Sequence, residues 1–132
     1  MSNDETCIPC ESLDKKHIIP ASELPSKVAD TLPLWTVVVK TTPESSSFSV
    51  IRRSFTCKNF QAAMDFIQQA GEVCETESHH ADFHLTSYRD VALEFYTHSV
   101  GGVTVNDLTV AAKLDKIKPQ LSPKWARENG LA

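Results

Sequence analysis

The feature that most constrains this chain is a change of hydrophobic period at Asn59. Beyond it, Phe60, Ala63, Met64, Ile67, Ala70 and Cys74 recur at spacings of three and four, which makes one face of an α-helix. On both sides of that stretch the period is two. Upstream, "LWTVVVKT" and "FSVIRRSFT" are rich in β-branched residues and are separated by the turn-forming "TPESSS". They read as two strands, the second with Phe48 and Val50 on one face and Ile51, Arg53 and Phe55 on the other. Downstream, Phe83 and Leu85 of "DFHLTSY" face one way and His84, Thr86 and Tyr88 the other. After a tight turn at "RD", Val91, Leu93, Phe95 and Thr97 share a face of "VALEFYTH". Strand pairs joined by short turns are hairpins, and hairpins are antiparallel.

The flanks complete the order. "ASELPSKVADTL" reads as a short helix with Ser22 as N-cap and Pro33 closing it. Gly71 weakens the long helix without ending it, and Gly101 and Gly102 break the last strand. Thr104 caps a helix through "TVNDLTVAAKLDKI", with Asp107 at the acidic position of a capping box. The Pro-interrupted "KPQLSPKWARENGLA" reads as irregular. The expectation is α-β-β-α-β-β-α: an α+β fold with a four-stranded antiparallel sheet of two hairpins and three helices packed on one face. Residues 1–20 form an arm, 21–118 the domain and 119–132 a tail.

A chain of 132 residues is one domain, long enough to bury a core without staples. A formal net charge of −4 argues against general nucleic-acid binding, which needs a basic face. No apolar run approaches a membrane span. The opening "MSNDETCIPCES" is neither secretory nor Arg-rich in character, so a cytoplasmic location is expected, with an organelle left open. Cys7 and Cys10 form a lone C-x-x-C. A zinc site needs two more ligands at a sensible spacing, and a redox pair needs a βαβ context, so reduced thiols in a peripheral arm are expected. Cys74 falls on the helical stripe as a small hydrophobe.

The chemistry concentrates in "ETESHHADFH", three histidines and three acidic residues in ten positions of a chain with only five histidines. Glu75 and His79 are four apart and share a helix face if the helix reaches that far. His98 ends the return strand of the hairpin that starts after His80, so His79, His80 and His98 can meet at one end of the sheet. Asp107 follows at the start of the next helix. Such a set suits two chemistries: a metal site of imidazoles and a carboxylate, or acid–base catalysis by imidazoles titrating near neutral pH. Spacing alone does not choose between them. His17 and His84 lie outside the set and read as solvated or locally bonded.

The pattern Glu75, His79-His80, Tyr88, Thr97-His98 and Asp107 resembles the signature of the pterin-4a-carbinolamine dehydratases. "LPLWTVV" and "SVGGVTVNDLTVAAKLDKI" are similar to the same family, so the resemblance covers roughly residues 20–118. Ala81 departs from it, standing where the family usually has Pro. The resemblance implies dehydration of 4a-hydroxytetrahydropterin to the quinonoid dihydropterin, with no metal or other cofactor. It implies His79 and His98 as the acid–base pair and His80 as a group that binds or orients the pterin. Glu75, Asp107, Thr97, Trp35 and Tyr88 would orient imidazoles or contact the ring. It further implies a homodimer, with a tetramer open. A protein-binding role is the alternative, since some animal relatives also serve a homeodomain transcription factor as dimerization cofactor.

Overall fold

In the computed structural model residues 14–131 are described, and the Cys7/Cys10 expectation lies outside them. Helix α1 is Leu24–Thr31, followed by strands β1 Thr36–Thr41 and β2 Ser47–Thr56. Helix α2 is Phe60–Glu77, strands β3 and β4 are Asp82–Thr86 and Asp90–Phe95, and helix α3 is Val105–Leu114. The strands form one antiparallel sheet in the order β1-β2-β4-β3. The expected α-β-β-α-β-β-α order and α+β class hold. The central pairing sets Ile51 opposite Phe95 and Phe55 opposite Val91, so the inward residues of both hairpins meet α2 and α3 in one core.

Three local readings are corrected. The long helix is rotated from its expected stripe: Ala62, Ala63, Phe66, Ala70 and Cys74 are buried, whereas Phe60 and Met64 are exposed. Phe66 explains the rotation, because its ring meets Phe55 edge-on at 4.8 Å, a contact worth about 0.5–1.5 kcal/mol beyond the area it buries. Helix α1 starts one residue later than Ser22 would allow. Its N-cap is Glu23, which makes no side-chain cap bond, and Pro25 in the first turn presets the backbone there. The tail is not irregular throughout, for Pro123–Glu128 form a fourth helix, α4. Ser122 Oγ accepts from the Trp125 N–H at 3.3 Å, and Ser122 N–H donates to Thr56 O, tying the tail to β2.

Candidate active site

The site is built where α2 stops. Asn59 starts that helix, its side chain accepting from the Ala62 N–H at 2.8 Å. Ser78 ends it in the left-handed conformation, φ 53°. The His79 N–H then reaches back to Cys74 O at 3.1 Å, the six-to-one bond of a Schellman stop. This stop changes the expected pairing. Had the helix continued, Glu75 would lie beside His79. Instead His79 turns inward and His80 outward, and Glu75 pairs with His80.

His79 is buried with a buried carboxylate. Its Nε2 lies 2.6 Å from Asp107 Oδ1, with the two side chains 5% and 0% exposed. Its ring stacks parallel to Phe95 at 5.9 Å. Asp107 serves two structures at once. Its Oδ2 accepts from the Thr104 N–H at 2.8 Å, the acidic half of the α3 capping box, and from the Thr97 hydroxyl at 2.9 Å. The Thr97 and Thr104 hydroxyls are 2.8 Å apart. Since a carboxylate only accepts, Nε2 carries the hydrogen in this bond when Asp107 is ionised.

His80 and Glu75 repeat the chemistry at the surface, 2.5 Å apart with side chains 58% and 78% exposed. His98 sits on the turn after β4. The Thr97 N–H donates to Gly102 O and Thr97 O accepts from Gly101 N–H; the turn needs Gly101 at φ 75°. His98 Nε2 is 3.9 Å from Asp82 Oδ1, and its ring lies on Tyr96 at 4.1 Å.

All three histidines line one open cavity of ≈ 340 Å³, together with Thr97, Tyr96 and Asp82. That volume is within the range of small-molecule sites. Among the described residues, no group of three or more His, Cys, Asp or Glu is arranged to hold a metal ion; Nε2 of His79 and of His80 is hydrogen-bonded to a carboxylate, and Nε2 of His98 lies 3.9 Å from one.

Glu75 and Asp107 reach the cavity only through the histidines they bond, and Trp35 and Tyr88 do not reach it at all. Trp35 is buried in the core, its Nε1–H donating to Asp115 Oδ1 at 2.9 Å, beside an Arg53 that donates to the same oxygen. Burial raises the Asp115 carboxyl despite these two donors, and burial lowers the Arg53 guanidinium despite Asp115. Tyr88 sits in the β3–β4 turn at the far end of the sheet, φ 57° and 59% exposed, under the Arg89 guanidinium. His17 accepts locally from the Asp14 N–H, and His84 lies 3.6 Å from Glu94. Conversely, Tyr96 and Asp82 line the cavity without having been selected. Tyr96 had a signal: in a strand read through to His98 it lies two residues earlier, and hence on the same side.

The sequence matches the profile of the family described as Pterin 4 alpha carbinolamine dehydratase over residues 19–117. It is 36% identical over 111 residues to a putative pterin-4-alpha-carbinolamine dehydratase of Chlorobaculum tepidum, covering 84% of this chain and 92% of that one. It is 32% identical over 114 residues to the mitochondrial pterin-4-alpha-carbinolamine dehydratase 2 of Arabidopsis thaliana, covering 85% of this chain and 56% of that longer one. Among solved structures, a transcriptional coactivator/pterin dehydratase from Brucella melitensis matches with a TM-score of 0.58 and 28% identity, over 75% of this chain and 96% of that one. The match spans the sheet, the helix stop and the three histidines alike, and the chain belongs to the pterin 4 alpha carbinolamine dehydratase family.

Proposed function

We propose that this protein dehydrates a 4a-hydroxytetrahydropterin to the quinonoid dihydropterin, with histidines moving both protons. The observation that carries the reading is the convergence of His79, His80 and His98 on one cavity, the first two hydrogen-bonded to carboxylates. The reaction breaks the C4a–O bond and the N5–H bond. A base takes the N5 proton, that electron pair forms the N5=C4a bond, and the hydroxyl leaves as water with a proton from an acid. Imidazoles that change charge near neutral pH suit both tasks. His79 and His98 are the acid–base pair, and His80 with Glu75 binds the polar edge of the pterin at the rim. Asp107 and Thr97 act through His79 by fixing its tautomer and plane. The biological setting of this reading is recycling of a tetrahydropterin cofactor in the cytoplasm by a homodimer.

The test is dehydration of chemically generated 4a-hydroxytetrahydropterin, followed by ultraviolet absorbance with chelator present. The wild type should accelerate the reaction over the spontaneous rate. His79→Ala and His98→Ala should each lose about 10²–10⁴-fold in kcat, the usual contribution of a positioned acid or base. No acceleration by folded wild-type protein would overturn the reading. It would favour a protein-binding role of the kind the Brucella melitensis structure's name includes.

A further inference from the structure

Resting on that reading, we infer that Tyr96 is a positioning residue for His98, holding the imidazole in its working orientation by face-to-face stacking. The three histidines are not held alike. His79 is fixed by a buried carboxylate at 2.6 Å, and His80 is hydrogen-bonded to Glu75 at the surface. His98 has a side chain 60% exposed, and its nearest carboxylate oxygen, on Asp82, is 3.9 Å from Nε2. That is beyond hydrogen-bond length, and Asp82 is itself 45% exposed. An ion contact of this kind gives little directional restraint.

What does restrain the ring is Tyr96, parallel within 11° at a centroid distance of 4.1 Å. Tyr96 is in turn propped from β2. The Phe48 ring packs against it with centroids 4.9 Å apart, tilted by 43°, and Phe48 is held opposite Lys40 in the β1–β2 ladder. A column therefore runs from the first hairpin through Phe48 and Tyr96 to His98. It connects the catalytic turn to a part of the sheet that supplies no other group to the cavity. The phenol ring lines the cavity wall itself. In this role the aromatic plane matters and the hydroxyl does not.

The experiment compares wild type, Tyr96→Phe and Tyr96→Leu. The leucine keeps an apolar side chain at a half-buried position but removes both plane and hydroxyl, whereas the phenylalanine removes the hydroxyl alone. Tyr96→Leu should lower kcat about three- to tenfold, the rate equivalent of one aromatic pair, with KM little changed. Tyr96→Phe should restore wild-type kcat. Independently of activity, the His98 ring protons should show an upfield ring-current shift in proton NMR spectra of wild type and Tyr96→Phe that disappears in Tyr96→Leu. Two outcomes overturn the inference while leaving the dehydratase reading intact: an unchanged kcat in Tyr96→Leu, or a Tyr96→Phe enzyme as impaired as Tyr96→Leu. The second would mean that the phenol hydroxyl acts on the substrate. A wild type that does not accelerate the reaction overturns the dehydratase reading and the positioning role together. Thermal melts of the three proteins separate any loss of fold from these effects.

Discussion

His79 and His80 are adjacent in the chain and each meets one carboxylate, at 2.6 and 2.5 Å. Distance does not separate the two pairs; surroundings do. Around His79 and Asp107 water is excluded, and the carboxylate's second oxygen is occupied by Thr97 and Thr104. Around His80 and Glu75 both groups are largely solvated. In the first pair, removing one partner strands a polar group in a medium that cannot solvate it. In the second, water replaces the lost partner, and salt screens what attraction there is. The two pairs therefore suit different work: an imidazole that must keep one tautomer, and one that must adapt to an incoming ligand.

The contrast is broken most strongly at Asp107. Asp107→Ala should destabilise the fold by about 3–5 kcal/mol, read from urea unfolding, because the His79 partner and the α3 cap are lost together. A smaller loss would mean that His79 does not depend on this carboxylate. Trp35→Phe should come next. It removes a hydrogen bond to a carboxylate, worth about 1.5–3 kcal/mol, while leaving kcat unchanged, since Trp35 does not line the cavity. A drop in kcat with intact stability would instead put the indole against the substrate.

Two further carboxylates, the buried Glu94 and the half-buried Asp115, sharpen the comparison through pH. Burial alone would raise the Glu94 carboxyl, but hydrogen bonds and charge from Lys40 and Arg52 outweigh it and hold it below the usual glutamate range. Its folded form binds protons less readily than the unfolded chain. Its contribution is thus fully present above the ordinary glutamate range and is lost as pH falls through the lowered value. Asp115, raised by burial, has the opposite sign: its contribution is present at acid pH and fades as pH rises through the raised value. Urea unfolding between about pH 3 and pH 7 should show Glu94→Gln flattening the acid-side loss and Asp115→Asn flattening the decline above it. Either variant leaving the profile unchanged would count against its assignment. The smallest effect is expected at the surface pair. Glu75→Gln should change stability by less than about 1 kcal/mol, and its effect on KM should shrink as salt is added.

Much of this was legible in the residues. Period-two runs on both sides of a period-three-and-four run gave the hairpins and the helix between them. A hairpin with nearly equal arms brought His98 back beside His79 and His80. The partner assignment was not legible, because it turns on Ser78 in a left-handed conformation. Serine is not the residue that marks such a stop; glycine or asparagine would have been. The helix rotation was hidden for a related reason. Phe60 and Phe66 are equally apolar, and only the position of Phe55 on β2 decides which of them points inward. Helix α4 carried a visible signal, Ser122-Pro123, a capping residue followed by proline in the first turn, but the surrounding prolines masked it.

The double use of Asp107 has a consequence for how this protein can change over generations. One oxygen completes the first turn of α3 and the other faces His79. On the proposed mechanism, selection for a chain that survives in the cell and selection for a chain that turns over substrate therefore act on the same carboxyl group. Drift that abolished the reaction would still be expected to keep this aspartate. Its presence in a relative thus testifies to folding; on the proposed mechanism a retained His98, which holds up no helix, is the better witness that the chemistry persists.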